Sequence, residues 1–231
     1  MFYITGDIHG DLDKLIDFCL RMKGMISSED VMIILGDCGF NYYLNENDDV
    51  LKQEANELGI TLFCVKGNHE IHPDMLAYYS TKEWNGATVY YQEEYPNILF
   101  AKDGEIYDLD GKKTLVIGGA YSVDKFFRLA RGLRWFPSEQ PSSEVKNYVL
   151  KQLNKVDWKV DVVLSHTAPL KTEPTHLFLP GLSQDEVDKT TEEFLDEISD
   201  KLEFKKWYFG HYHGDWKNGK FQLMFNQIAE F

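Results

Sequence analysis

Two histidines stand one residue apart in Gly210-His211-Tyr212-His213, directly after an apolar run. Four other short stretches, also at the ends of apolar runs, carry the partners a metal centre needs. They are Gly6-Asp7-Ile8-His9-Gly10, Gly36-Asp37, Gly67-Asn68-His69-Glu70 and Ser165-His166. Asp7, His9, Asp37, Asn68, His166, His211 and His213 together offer carboxylate, amide and imidazole donors. That mixture suits manganese, iron or zinc, and it suits two ions rather than one. A carboxylate can bridge two cations, and Asp37 is the central candidate. Two cations about 3.5–4 Å apart can hold the attacking and leaving oxygens of a phosphoester during in-line displacement. A water bridging them loses its proton near neutral pH and becomes a hydroxide nucleophile. His69, beside Asn68, is then free to protonate the leaving oxygen as general acid. Any one of these residues could be an ordinary turn residue, since Asp and Asn are common in turns. A whole set of them at five strand ends is not explained that way.

The elements that must position them can be read in order. Residues 2–5 form an apolar run closed by Gly6, the pattern of a buried strand. Leu12, Leu15, Ile16, Cys19 and Met22 follow at helical spacing, with Asp11 as N-cap and Gly24 as stop. Runs at 31–35 and 61–65 predict two more strands, with a helix over 49–58 between them. This β-α-β-α-β succession predicts a parallel sheet. Short runs follow at 88–91, 98–101, 105–109 and 114–118, and Asp110-Gly111 marks a hairpin. Residues 119–141 show no clear periodicity. A helix over 142–153, a strand over 160–164, a proline-bearing loop, an acidic amphipathic helix over 184–202 and a strand over 206–209 come next. Asn218-Gly219 joins 215–217 to 221–225 as a second hairpin. Every candidate ligand thus lies beyond the carboxyl end of a strand, where ligand sites form in open α/β sheets. No linker or repeat interrupts the chain, so residues 1–231 read as one domain.

Composition narrows the function. Lys plus Arg total 24 against 38 Asp plus Glu, a net charge of -14. Such a surface repels polyanions and weighs against sequence-independent binding to long nucleic acid. A local basic cleft remains compatible with it. Cys19, Cys38 and Cys64 are too few and too scattered for a disulfide framework or a cysteine zinc site. Cys38 follows Asp37, but no neighbouring base would make it a nucleophile. The opening residues lack the basic segment of a signal peptide. No apolar run approaches the ~20 residues of a membrane span. The expectation is a cytoplasmic protein with no membrane contact and no obligate protein partner.

The ordered blocks Asp-x-His, Gly-Asp, Gly-Asn-His-Glu, a lone His and Gly-His-x-His, running from Asp7 to His213, resemble the calcineurin-like metallophosphoesterase family. The resemblance implies an α/β fold: a four-layer α-β-β-α sandwich of two mixed sheets flanked by helices, with a dinuclear metal site at strand C-terminal ends. It assigns Asp7, His9 and His213 to one ion, Asn68, His166 and His211 to the other, Asp37 to both, and His69 to the general acid. The implied cofactors are two divalent metal ions, manganese first, with iron, zinc or nickel as alternatives. The implied reaction is hydrolysis of phosphomonoesters or phosphodiesters, with a nucleotide or a nucleic-acid end among the candidate substrates.

One branch of that family, the phosphoprotein phosphatases, shares the first block but continues the second as Gly-Asp-x-x-Asp-Arg-Gly. Here Phe40 and Asn41 occupy the Asp and Arg positions. Lys66 stands where that branch has an Arg before Gly-Asn-His-Glu. A carboxylate that steadies the general acid and two phosphate clamps are therefore replaced, which weighs against the phosphoprotein alternative. Arg128, Arg131 and Arg134 are candidates to restore a clamp, because Arg forks match phosphate oxygens. The plainer reading of that stretch is a packed loop with solvated arginines. Asn41, with Tyr42 and Tyr43, is a candidate for the cleft wall, against a polar turn. His72 and His176 fall outside the blocks; His72 reads as a surface residue or one supporting the ligands from behind, His176 as an exposed loop residue, and the acidic face of 185–197 reads as solvated. A non-catalytic interaction scaffold on the same fold is the rival class, disfavoured because every ligand and His69 are kept.

Overall fold

The computed structural model describes residues 1–178, 180–181 and 184–231. Its strands form two sheets. The first holds β1 (Phe2–Thr5), β2 (Val31–Ile34), β3 (Thr61–Cys64), β4 (Ser80–Trp84), β5 (Ala87–Tyr91), β6 (Ile98–Ala101) and β13 (Ala229–Glu230), in the order β13-β1-β2-β3-β6-β5-β4. β1, β2, β3 and β6 run parallel, and antiparallel strands complete both edges. The second sheet holds β7 (Ile106–Leu109), β8 (Lys112–Ile117), β9 (Val162–Ser165), β10 (Lys206–Phe209), β11 (Trp216–Asn218) and β12 (Phe221–Leu223), in the order β11-β12-β10-β9-β8-β7. The helices are α1 (Asp13–Arg21), α2 (Glu46–Asn56), α3 (Lys125–Arg131), α4 (Ser143–Lys155) and α5 (Thr190–Lys201).

Strand alternation explains the layers. In β2, Val31 and Ile33 join the core between the sheets, with Ile4, Phe63, Val116 and Leu164. Met32 and Ile34 point the other way and pack with Leu15 and Phe18 of α1 and Ala55 of α2. The second sheet repeats the arrangement, burying Leu115, Val163 and Trp207 against Val149 and Leu153 of α4 and Leu195 and Ile198 of α5. Central strands buried on both faces read as continuous apolar runs, and each fully buried side chain contributes roughly 1.5–3 kcal/mol. The outcome is the four-layer α-β-β-α sandwich of two mixed sheets. No described helix is long and apolar enough to cross a membrane.

Several local features differ from expectation. Asp11 does not cap α1 directly; its Oδ1 accepts from the Asp13 N–H, in the turn that leads into the helix. α2 begins at Glu46 rather than 49, because the Asn45 side chain caps it by accepting from the Asn47 N–H. β4 forms from the polar sequence Ser80–Trp84, since an edge strand has one partner and an open face. The aperiodic stretch 119–141 contains α3, which buries none of its residues and so carries no amphipathic signature. The acidic helix over 184–202 divides into a short turn at Gln184–Glu186 and α5. The proline-bearing loop forms single turns at Leu170–Thr172 and Thr175–Leu177; its positions 179, 182 and 183 lie outside the described residues. Asp110-Gly111 does turn the β7–β8 hairpin. Their φ values of 56° and 73° are the pair of left-handed residues that a type I′ turn requires.

Candidate metal centre

The carboxyl ends of β1, β2, β3, β9 and β10 converge, and the five sequence blocks follow those ends. Four of the expected ligands sit in the left-handed region: His9 at φ 48°, Asp37 at 46°, His211 at 71° and His213 at 48°. Non-glycine residues rarely adopt it, and where they do at a site, the surrounding fold must impose it. Here it does. The N–H of His9 donates to the Asp37 carbonyl at 2.7 Å, and that of Gly10 to the Cys38 carbonyl at 3.0 Å. The N–H of His69 donates to Asp37 Oδ1 at 2.8 Å, and that of His211 to Asp7 Oδ1 at 3.0 Å. Three glycines are needed for close approach. A Cβ at Gly36 would strike the His166 ring, one at Gly67 the Asp37 carboxylate, and one at Gly210 the Asp7 carboxylate.

Two groups of donors result. Asp7, His9 and His213 offer ligand atoms all within 4.8 Å of one another, and so do Asp7, Asp37 and His166. His9 Nε2 and His213 Nε2 face each other at 2.9 Å, with Asp7 Oδ2 3.9 Å and 3.5 Å away. Asp7 belongs to both groups, and Asp37 Oδ2 lies 3.9 Å from His9 Nδ1 in one and 3.6 Å from His166 Nε2 in the other. The inner part of the centre is buried and the outer part open: the Asp7 and His166 side chains are fully buried and that of Asp37 is 1% exposed, whereas His9 and His213 are exposed. The outer contacts fix the donor atoms. His166 Nδ1 donates to the Leu35 carbonyl at 2.7 Å, which leaves Nε2 facing the centre. Asn68 Nδ2 donates to Ser122 Oγ at 2.8 Å, which turns Oδ1 toward His166 Nε2, 2.7 Å away. His211 stacks edge-on to His166 with ring centres 5.1 Å apart.

Electrostatics favours cations. Burial raises the cost of charge on Asp37, but His166, His69 and His9 outweigh it and hold the carboxyl far below its usual range. Asp7 is lowered likewise, burial opposing and His166 and His213 prevailing. Burial also opposes charge on His166, yet Asp37 and Asp7 raise its pKa to about 9. Burial and the neighbouring His166 depress His211 to about 3, so it stands as a neutral imidazole, the form that ligates. Two buried carboxylates thus demand positive charge strongly enough to hold a proton on a buried histidine. A divalent cation meets the same demand, and the donor set fits one.

His69 lies between two clefts. One, of about 250 Å³, is lined by His9, Tyr42 and Arg128 among others. Arg128 reaches it from α3, held by Asp124 Oδ2 at 2.7 Å and by the Arg134 carbonyl at 3.3 Å. Arg131 and Arg134 are exposed and do not reach either cleft. Asn41 is fully buried, accepting from the Tyr79 hydroxyl at 2.9 Å and donating to the Ile71 carbonyl, so its amide is spent on holding the loop rather than presented to the cleft. Lys66 is also withdrawn, in a buried ion pair with Asp103 at 3.3 Å. His72 pairs with Asp74 in a separate hollow, and His176 is exposed against Trp216. Cys38 is buried and donates to Glu70 Oε2.

Two site residues were not foreseen. Glu70 accepts the N–H groups of Gly39 and Gly67 and so ties the second block to the third. Ser122 orients Asn68. Glu70 was visible as the last member of Gly-Asn-His-Glu; Ser122 had no signal in the aperiodic stretch.

Residues 1–215 match the family described as Calcineurin-like phosphoesterase. The chain belongs to that family and is a metal-dependent hydrolase of phosphoester bonds. No curated protein matches it. Among solved structures it is similar to TT1561 of Thermus thermophilus, with TM-score 0.52 and 14% identity over 97% of this chain and 87% of that one. It is also similar to the phosphopantetheinyl hydrolase PptH from Mycobacterium tuberculosis, with TM-score 0.50 and 13% identity over the same shares. At these identities the likeness is one of fold.

Proposed function

We propose that the protein hydrolyses phosphomonoesters or phosphodiesters at a two-metal centre. Asp7, His9 and His213 would hold one ion, Asn68, His166 and His211 the other, and Asp37 both. The observation that carries this reading is the meeting of a buried donor group with a more open one through the shared Asp7, with Asp37 Oδ2 between His9 and His166. Mixed oxygen and nitrogen donors suit manganese first, with iron, zinc or nickel as alternatives. When bound, divalent ions would neutralise the phosphoryl oxygens and activate water.

The protein's own residues do the rest. His69 borders both clefts, and its backbone is fixed by Asp37. Burial lowers its pKa, Arg128 lowers it further, and Asp37 and Asp124 oppose them. Its imidazolium is therefore a stronger acid than a solvated one, suited to giving a proton to a leaving alkoxide. Asp124 supplies a carboxylate near His69 where the phosphoprotein phosphatases use a different position. Arg128 presents its guanidinium to the cleft beside His9, where it would clamp a phosphoryl oxygen. With Asn41 and Lys66 both turned to structural tasks, the small-phosphoester reading is favoured over the phosphoprotein one.

The test is His69→Ala, assayed on mono- and diesters with Mn, Fe, Zn, Ni and Mg in turn. Metal content stays at two ions and turnover falls about 10²–10⁴-fold, the usual worth of a positioned acid. Unchanged turnover would remove His69 from that role. Asp37→Asn separates the other half of the reading, because two ions retained in that variant would rule out the shared ligand.

A further inference from the structure

The other cleft at His69 has a wall that takes no part in holding ions. Beyond the ligands it is lined by Tyr121, Val123, Leu177, Phe178, Val187 and Glu192. Its volume is about 220 Å³. That is below the ~300–1,000 Å³ of sites for drug-sized molecules, so it has room for one ring system and not for a polypeptide segment. Part of the wall is a pair of near-parallel rings. Phe178 stacks on Tyr212 with ring centres 6.0 Å apart and planes 15° from parallel. Lys189 Nζ lies 5.0 Å from the Phe178 ring centre and pairs with Glu173 at 2.6 Å.

Glu192 is the carboxylate of this wall without an ion-pair partner among the described residues, whereas Glu173 pairs with Lys189 and Asp124 with Arg128. It is 3% exposed. Its Oε1 accepts from Thr167 Oγ1 at 2.8 Å, while its Oε2 is buried with no hydrogen-bond partner among the described residues. A buried carboxylate oxygen left unpaired is destabilising, and native proteins keep few of them. Tyr212 cannot serve it, because its hydroxyl is already shared between Thr167 at 2.9 Å and Glu173 at 3.2 Å. Burial, followed by the charge of Glu173, raises the Glu192 pKa to about 7. No step at the metal centre uses this side chain.

We propose that this cleft seats part of the leaving group of the substrate, and that this group carries a planar nucleobase-like ring whose N–H donates to Glu192 Oε2. The inference rests on the phosphoesterase reading, since a phosphoryl group at the ions is what brings the ring to the cleft. An ionised carboxylate only accepts hydrogen bonds, so the group that satisfies Oε2 must donate. A ring nitrogen or exocyclic amino group of a base does so, and an unsubstituted phenyl ring does not. The apolar side chains of Val123, Leu177 and Val187 suit a flat ring of either kind. Glu192 is thus the element that discriminates between them.

The experiment is calorimetric titration of the metal-loaded protein, about one pH unit above the Glu192 value, with adenosine and guanosine 5′-monophosphates and with phenyl phosphate. One nucleotide binds at least about tenfold more tightly than phenyl phosphate, the scale of a hydrogen bond to a charged group. In Glu192→Gln the amide oxygen stays with Thr167 and the NH₂ takes the place of Oε2, so donor meets donor. The nucleotide then loses about tenfold, while phenyl phosphate changes by less than about twofold. Phe178→Ala, at the partly exposed rim, weakens both ligands and serves if Glu192→Gln does not fold. Equal affinity for nucleotides and phenyl phosphate, or equal losses in Glu192→Gln, overturns the proposal. Hydrolysis of phenyl phosphate by the same preparations tests the parent reading. Its absence with the preference intact would leave a nucleobase site on a protein that is not the phosphoesterase proposed.

Discussion

Glu192 is the residue whose environment contradicts its chemistry most. Its pKa in the folded chain, about 7, lies above the ordinary 4.5 because burial disfavours the charged form and Glu173 adds to it. The sign follows directly. Below the unfolded value both states are protonated and the residue costs nothing. As pH rises from 4.5 toward 7 the unfolded chain ionises first, so the folded state loses stability; above that the loss is constant. The shift corresponds to about 3 kcal/mol. Glu192→Gln is therefore expected to match the wild type near pH 4.5 and to be more stable above pH 7, read as a difference in urea midpoints. A difference that does not change with pH would show that Glu192 is not the buried acid described. The same residue shows what sequence reading reaches. The convergence of Asp7, Asp37, Asn68 and the block histidines at strand ends was legible, because position at a strand end is a local property of the sequence. Glu192 was read as part of a solvated acidic face. Its burial depends on Thr167 and Tyr212, which lie 25 and 20 positions away and meet it only through the packing of α5 on the second sheet.

At the scale of elements, the buried strands were legible, and the polar edge strand β4 and the helix α3 were not. β1, β2, β3, β6 and β9 are buried on both faces or nearly so, and continuous apolar runs mark them. α3 left no such mark, because it buries no residue, yet it delivers Arg128 beside His69. The strand-to-loop junctions carry their own requirement. At Gly210 a Cβ would meet the Asp7 carboxylate and lie 2.9 Å from the Leu35 carbonyl. At Gly24 it would meet nothing, although φ there is 82°. Gly210→Ala and Gly24→Ala should both cost stability, the first by overpacking of roughly 1–3 kcal/mol and the second by backbone strain of about 1 kcal/mol. Only Gly210→Ala should weaken metal binding, by at least about tenfold, since it displaces Asp7, a proposed ligand. Equal metal affinity in the two variants would mean that the close approach at Gly210 has no bearing on the site.

The whole molecule is held together at this site as well as through its core. Asp7, Asp37 and Asn68 follow strands of the first sheet, and His166, His211 and His213 follow strands of the second. Side-chain contacts already cross that seam, from His166 to the Leu35 carbonyl and from the His211 N–H to Asp7. Two ions would add ligand bonds across it and cancel repulsion between buried carboxylates in a chain of net charge -14. Ligands that bind only the folded state stabilise it by mass action, by about 4 kcal/mol at a thousandfold excess over Kd. For a chain of this length 1 kcal/mol moves the melting temperature by roughly 2–4 °C. Chelation should therefore lower the melting temperature by about 8–16 °C, and added manganese should restore it. Asp37→Asn should melt at the same temperature with and without chelator, because it no longer holds the ions whose removal is being measured. A wild-type melting temperature indifferent to chelation would mean that the seam is carried by protein contacts alone.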